Sequence, residues 1–351
     1  MPDRRAPFQL GEEFIAAGSR RIVDLPFSLL SNHTPIALPV LGIHGRRDGP
    51  VVFVSAAIHG DEVIGVEIIR RLARHPALRR IKGTLLLVPT VNVLGFIGHS
   101  RYLPDGRDLN RSFPGTASGS LASQLAHLFL NEIVIRCDYG LDLHSAALHR
   151  TNLPQLRINP DDSQALELAK AFGPPIILHS QLREKSLRQT AADHGVPVLL
   201  YEAGEALRFD ETSIRVGVRG ALRVFRHLGM IADGGIAAPT EPTIVSSRSS
   251  WLRAPKGGVL RVIRTSGDIV AAGEKVGLIS DPFGETVTEV ISHIAGVVVG
   301  RTNLPVVNQG DALLHIARLP RSADGLDALD AAAGEDADAD DSYFHDDDQI
   351  V

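Results

Sequence analysis

Apolar positions along this chain follow two periods. Between about residues 36 and 231, short apolar runs alternate with segments in which apolar residues return every three or four positions. The runs 36–43 (IALPVLGI), 51–58 (VVFVSAAI), 84–90 (TLLLVPT), 138–143 (DYGLDL), 175–178 (PIIL) and 197–201 (PVLLY) predict strands. Several are nearly uninterrupted, as in strands covered on both faces. Helical spacing predicts helices over 61–74, 118–135, 162–171, 184–194 and 211–229. In the first, Val63, Val66, Ile69 and Leu72 recur with arginines between them. This alternation predicts an α/β fold with a mixed or mostly parallel sheet flanked by helices. Residues 91–117 interrupt it with a long Gly-, Pro-, Arg- and Asp-rich stretch, and loops of that length in compact domains are often functional.

The pattern changes near residue 235. GGIAAPTEPT reads as a linker, and 248–318 reads as short strands and glycine turns. GGVLRVIRTSGDIVAAGE (257–274) and AGVVVGRTNLPVVNQGD (295–311) form a weak internal repeat, which predicts a small β-barrel or sandwich. The two halves resemble those of a biotinyl/lipoyl-type domain. Such domains carry a modified lysine between the halves, and 280–293 has none, which rules out a swinging-arm carrier. The predicted division is an N-terminal extension (1–35), a catalytic domain (36–234), the β domain (248–318) and a disordered acidic tail (321–351).

Composition adds limits. A chain of 351 residues suggests about two domains. Its single cysteine, Cys137, excludes an internal disulfide and fits a reducing, cytoplasmic setting. Cys137 itself reads as a core residue, because no activating partner is evident. The N-terminus lacks an apolar signal-peptide core, and no apolar run reaches membrane-spanning length. The net charge of −5 is misleading. Residues 321–351 hold 11 of the 41 acidic residues and one of the 36 basic ones, so the rest is mildly basic. No dense basic patch with aromatics occurs, so nucleic acid is not an expected partner.

Chemistry concentrates at predicted strand ends. Ile58-His59-Gly60-Asp61-Glu62 follows strand 51–58, and an imidazole and a carboxylate three positions apart there can reach one point. Both are zinc ligands. His144 ends strand 138–143, at the carboxyl edge where open α/β sheets place ligands. Asp142, on the same side of that strand, can hold the imidazole tautomer. The plainer readings remain a helix-cap or surface His59, a core His144 and a turn Asp142. Glu202 ends strand 197–201 and suits a general base beside a metal with an open position. Glu205 is either a solvated loop charge or the base, if that strand runs further. In the long loop, RYLPDGRDLNRSFPG brings Arg101, Asn110 and Arg111, side chains able to bind carboxylates and oxyanions or simply to form a solvated basic loop. No G-x-S-x-G, Walker A or G-x-G-x-x-G motif occurs.

The order HGDE, RYLPDGRDLNRSFPG, DLHS and EAG resembles the succinylglutamate desuccinylase/aspartoacylase family of the zinc carboxypeptidase superfamily, over roughly residues 36–231. The β-rich segment beyond it resembles the family's C-terminal domain. The resemblance implies one zinc per chain on His59, Glu62 and His144. It implies Glu202 as general acid/base, Arg101 as the group that polarises the scissile carbonyl, and Asn110 and Arg111 as the carboxylate-binding pair. Arg188, in LRQTAADHG, is implied as a further substrate arginine, at a longer spacing from Glu202 than in aspartoacylase proper. Gly204 is followed by Glu205, where aspartoacylase proper has proline.

The expected protein is a cytoplasmic zinc hydrolase that deacylates a small N-acyl amino acid. Its β domain is expected to limit access to the cleft or to mediate homo-oligomer formation. A carboxypeptidase acting on peptide tails and a non-catalytic zinc-binding relative are the alternatives.

Overall fold

The computed structural model describes residues 5–232, 234–239 and 242–319; the acidic tail lies outside them. The short strands β1 (Phe8–Leu10) and β2 (Glu13–Ile15) form a hairpin. The chain continues through β3 (Ser19–Leu29), β4 (Pro35–His44), β5 (Arg47–Ala56), α1 (Ile64–Arg74), β6 (Lys82–Val88) and α2 (Val93–Ile97). Next come α3 (Leu121–Glu132), β7 (Tyr139–Ala146), β8 (Arg150–Ile158), α4 (Ser163–Phe172), β9 (Ile176–His179), α5 (Leu187–Asp193), β10 (Val198–Glu205) and α6 (Glu211–His227). The β-rich remainder contains β11 (Ile244–Ser246), β12 (Ser249–Arg253), β13 (Gly258–Val262), β14 (Ile269–Val270) and β15 (Lys275–Ser280). It ends with β16 (Val287–Ile291), β17 (Gly296–Thr302), β18 (Val306–Val307) and β19 (Ala312–Ala317).

The sheet is mixed. β10, β7, β5 and β6 run parallel, and β4 and β3 close one side antiparallel. The helices divide between its faces. α1, α4 and α6 pack Ile64, Ile68, Leu168, Phe172, Ile214 and Phe225 against Val54, Leu141, Leu199 and Tyr201. α3 and α5 cover the other face with Leu125, Phe129 and Leu187, and Leu103, Leu109 and Phe113 of the long loop join that cluster. Fully burying one such side chain stabilises by about 1.5–3 kcal/mol. The long loop is therefore anchored at three apolar points.

α1, α3 and α5 start three residues inside the predicted positions, α4 one residue inside, and α6 where predicted. Ser120 accepts from Ser123 N and Ser186 from Gln189 N, so each serine is a cap outside its helix. α1 begins at Ile64, because Glu62 N bonds His59 O and Val63 N bonds Asp61 O in a turn before the helix. β3 and β8 escaped the hydrophobic pattern. Both contain proline. Pro26 is tolerated in β3 because that strand is an edge. Pro154 lies within β8 at a seam: Asn152 pairs with Gly300 of β17, Gln155 pairs with Ile176 of β9, and the β10 register slips at the same place. The missing N–H falls where the ladder already changes partner.

Through that seam one sheet of 13 strands runs from the catalytic segment into the C-terminal segment. The internal repeat appears as reciprocal pairing. Gly258 pairs with Val307 and Gly296 pairs with Val270, so the first strand of each half pairs with the second of the other.

One ion-pair chain ties α1 to α6. Glu67, 7% exposed, accepts from Arg70 Nε and Nη2 and from Arg71 Nε, and Arg71 also bonds both Glu211 oxygens at 2.8 Å. The hydrogen bond from Arg70, opposed by burial and helped by Arg71, lowers the Glu67 pKa from 4.5 to about 2. A depressed carboxylate contributes stability above its unfolded pKa and loses it as pH falls through the folded one. We expect Glu67→Gln to destabilise at pH 7 by about 1–2 kcal/mol, moderated because the arginines stand partly in solvent. Urea unfolding at stepped pH should show the difference from wild type narrowing below pH 4.5 and vanishing near pH 2.

Candidate active site

β5 leaves the sheet through Ala57, whose backbone is left-handed (φ 52°), and delivers Ile58 to the core and His59 to the site. Gly60 permits the next turn: a Cβ there would stand 2.0 Å from Gly95 C and 2.2 Å from Phe96 N. The turn folds Glu62 back beside His59, and His144 arrives from the end of β7. His59 Nδ1 lies 2.6 Å from Glu62 Oε1, and His144 Nδ1 lies 2.8 Å from Glu62 Oε2. One ligand atom from each of the three lies within 4.8 Å of the others, and all three residues are buried.

Each imidazole is oriented from behind. Asp142 Oδ2 is 2.8 Å from His144 Nε2, and Ser55 Oγ donates to Asp142 Oδ1. Asp108 Oδ1 is 3.2 Å from His59 Nε2. A carboxylate on the outer nitrogen, with the inner nitrogen turned to a shared point, is how metal-binding histidines are usually held. Burial is the strongest influence on His59 and His144 and opposes their protonation. The Glu62 charge, joined by Asp142 at His144 and by hydrogen bonds, nevertheless raises both. Burial likewise opposes ionisation of Glu62, yet the two imidazoles hold it well below the usual carboxylate range. Asp108 is also held low against burial, by His59 and then Arg101.

The long loop crosses this cluster. Arg101 Nη1 is 3.4 Å from Glu62 Oε1, and Nη2 is 3.2 Å from Asp108 Oδ2. Asn110 N bonds Asp108 Oδ1, Asn110 Oδ1 accepts from Leu187 N at the start of α5, and Arg111 Nη1 donates to Asn110 O. The Asn110 amide plane is thereby set by α5.

Glu202 sits in register with His144 across the parallel β10–β7 pair. Its Oε2 accepts from Asn152 Nδ2 at 2.7 Å and lies 3.5 Å from Arg157 Nη2. Asn152 is backed by Gly300, where a Cβ would come 2.7 Å from Asn152 Oδ1. Glu205 takes a third role: it accepts from His149 N and from Asn303 Nδ2 and so ties the β7–β8 turn to the C-terminal segment. Arg188 has donors on Arg157 O, Ser180 Oγ and Gln181 O that brace the end of β8, and its buried guanidinium lies within reach of the Glu202 and Asp142 charges. Cys137 is buried, and burial pushes its thiol far up. Sequence reasoning passed over Asp108 and Asn152. Asp108 lies inside the quoted DLNR motif, whereas nothing local marks Asn152, because its role depends on strand pairing.

A buried His–Glu–His cluster beyond the sheet's carboxyl edge, with an arginine over it and a second glutamate beside it, defines a hydrolase of amide bonds. The chain belongs to the succinylglutamate desuccinylase/aspartoacylase family, whose catalytic domain matches residues 48–228. It is 28% identical over 333 residues to N-alpha-acetyl-L-2,4-diaminobutyric acid deacetylase of Halomonas elongata, covering 91% of this chain and 97% of that protein. It is 26% identical over 224 residues to succinylglutamate desuccinylase of Pseudomonas aeruginosa, covering 58% of this chain and 64% of that one. Its fold overlays a succinylglutamate desuccinylase/aspartoacylase structure from Rhodobacter sphaeroides with a TM-score of 0.75 at 25% identity, over 86% of this chain and 96% of that one. No helix among the described residues is long and apolar enough to cross a membrane.

Asp142→Asn should weaken metal binding at the His–Glu–His cluster about 10- to 100-fold, the usual cost of losing the partner behind a ligating histidine. Competition against a calibrated chelator measures this, and an unchanged affinity would show that Asp142 does not orient His144.

Proposed function

We propose that this protein is a zinc-dependent deacylase that hydrolyses the amide bond of an N-acylated amino acid. The observation that carries the reading is the Glu62 carboxylate set between the Nδ1 atoms of His59 and His144, with Glu202 in register beside His144. Two imidazoles and a carboxylate suit zinc, and two further carboxylates behind the imidazoles fit the same ion. When bound, zinc supplies Lewis-acid polarisation and acidifies water.

The chain's own groups do the rest. Glu202, steadied by Asn152, takes a proton from the attacking water and delivers it to the leaving nitrogen. Arg101 donates to the carbonyl oxygen as negative charge develops there. Asn110 and Arg111 hold the substrate's carboxylate. The names of the relatives, a deacetylase and a desuccinylase, support a small acyl amino acid over a peptide tail.

The test is primary-amine release from a panel of N-acyl amino acids and short peptides. Zinc-loaded protein should release amine from acyl amino acids, chelation should abolish this, and added zinc should restore it. Glu202→Gln should keep zinc and lose about 10²–10⁴-fold in kcat, and His144→Ala should lose both. Release from peptides alone would overturn the small-amide reading. Zinc binding without turnover would overturn catalysis.

A further inference from the structure

Buried polar side-chain atoms without a hydrogen-bond partner are uncommon in folded proteins, and each calls for an explanation. Outside the His–Glu–His cluster, the described residues include three close to Glu202. Both amide atoms of Gln155 are unpartnered although that residue is 0% exposed, and so is Arg157 Nε. His315 Nδ1 in β19 is a further such atom, while its Nε2 lies 2.9 Å from Ser249 Oγ. Burial, then the nearby Arg157 and Arg150 charges, push His315 down to about 3, so its ring is neutral.

These groups share one side of Glu202. His144, Glu202 and Gln155 form one register row across β7, β10 and β8, with neighbouring strands about 4.8 Å apart. Gln155 and Arg157 alternate along β8, so they face the same way, and Arg157 Nη2 reaches to 3.5 Å of Glu202 Oε2. Gln155 therefore lies across Glu202 from the His–Glu–His cluster.

The reaction's geometry says what belongs there. The scissile carbonyl must sit at the His–Glu–His cluster and Arg101. The leaving nitrogen must sit at Glu202, which protonates it. The amine half of the substrate then extends past Glu202 over β8. With Asn110 and Arg111 on its carboxylate, the other substituent on its α-carbon, the side chain, would be the part turned toward Gln155 and Arg157.

We propose that Gln155 and Arg157 read the side chain of the released amino acid, and that they select one ending in an uncharged planar carboxamide or ureido group. This rests on the deacylase reading above. A donor and acceptor count makes the choice. Gln155 Oε1 needs a donor, whereas Gln155 Nε2 and Arg157 Nε need acceptors. A carboxamide or ureido oxygen accepts from both nitrogens, and its N–H donates to Oε1. A carboxylate has no N–H for Oε1. An ammonium has no acceptor and meets the Arg157 charge. A hydrocarbon satisfies none of the three. Sites built to hydrogen-bond a substrate group reject analogues that lack it by large factors.

The experiment compares kcat/KM of the zinc-loaded full chain on N-acetyl-L-glutamine, N-acetyl-L-citrulline, N-acetyl-L-glutamate, N-acetyl-L-norleucine and N-acetyl-L-lysine. Glutamine and citrulline substrates should exceed norleucine and lysine at least tenfold, with glutamate between. In Gln155→Leu, the glutamine-to-norleucine ratio should fall at least tenfold. Its melting temperature should rise, because two unpaired polar atoms leave the core. If Gln155→Leu does not fold, Arg157→Met supplies the same ratio. Turnover without preference, a preference for lysine, or an unchanged ratio with a lower melting temperature would overturn the pocket and leave the deacylase intact. Turnover of none of the five, with amine release from another N-acyl amino acid of the wider panel, would overturn the pocket alone; silence across that whole panel would overturn the deacylase reading and the pocket with it.

Discussion

The site depends on one buried carboxylate. Glu62 accepts from two imidazoles, from Ser145 N and from Arg101, and is 2% exposed. A carboxylate removed from water is tolerated only when such partners surround it. Those partners come from the exit of β5, the end of β7 and the long loop. Satisfying Glu62 therefore fixes the relative positions of three separate elements. The turn before α1, the left-handed Ala57 and the close packing of Gly60 on Gly95 all serve to bring Glu62 to that point.

Much of this was legible in the sequence. The parallel core strands showed themselves as apolar runs because both their faces are covered. The residues of the His–Glu–His cluster and Glu202 showed themselves because each stands at the end of such a run. What stayed hidden depends on pairing between distant strands. β8 carries Asn152, Gln155 and Arg157, and its proline and polar positions give no strand period. Only the register against β10 places them beside Glu202. Arg188 was marked by a motif position alone, and nothing in the sequence signalled that its donors go to backbone carbonyls and a serine at the end of β8.

The boundary near residue 235 is real in composition but does not mark the end of the sheet. β17 pairs with β8 directly, and Ile176, Leu178, Val297 and Val299 share one apolar cluster. Glu205 and Asn303 add a polar tie across the same seam. The C-terminal segment thus forms part of the surface on which Glu202 rests, besides whatever it contributes to access.

That arrangement sets an order on how the protein is made. The His–Glu–His cluster and both helix layers lie in the first two thirds of the chain and can assemble as it emerges from the ribosome. Asn152, however, is pressed into place by Gly300, near the end of the described chain. Its hydrogen bond to Glu202 is completed only when β17 docks on β8. The nascent protein would therefore bring His59, Glu62 and His144 together well before Glu202 receives its partner.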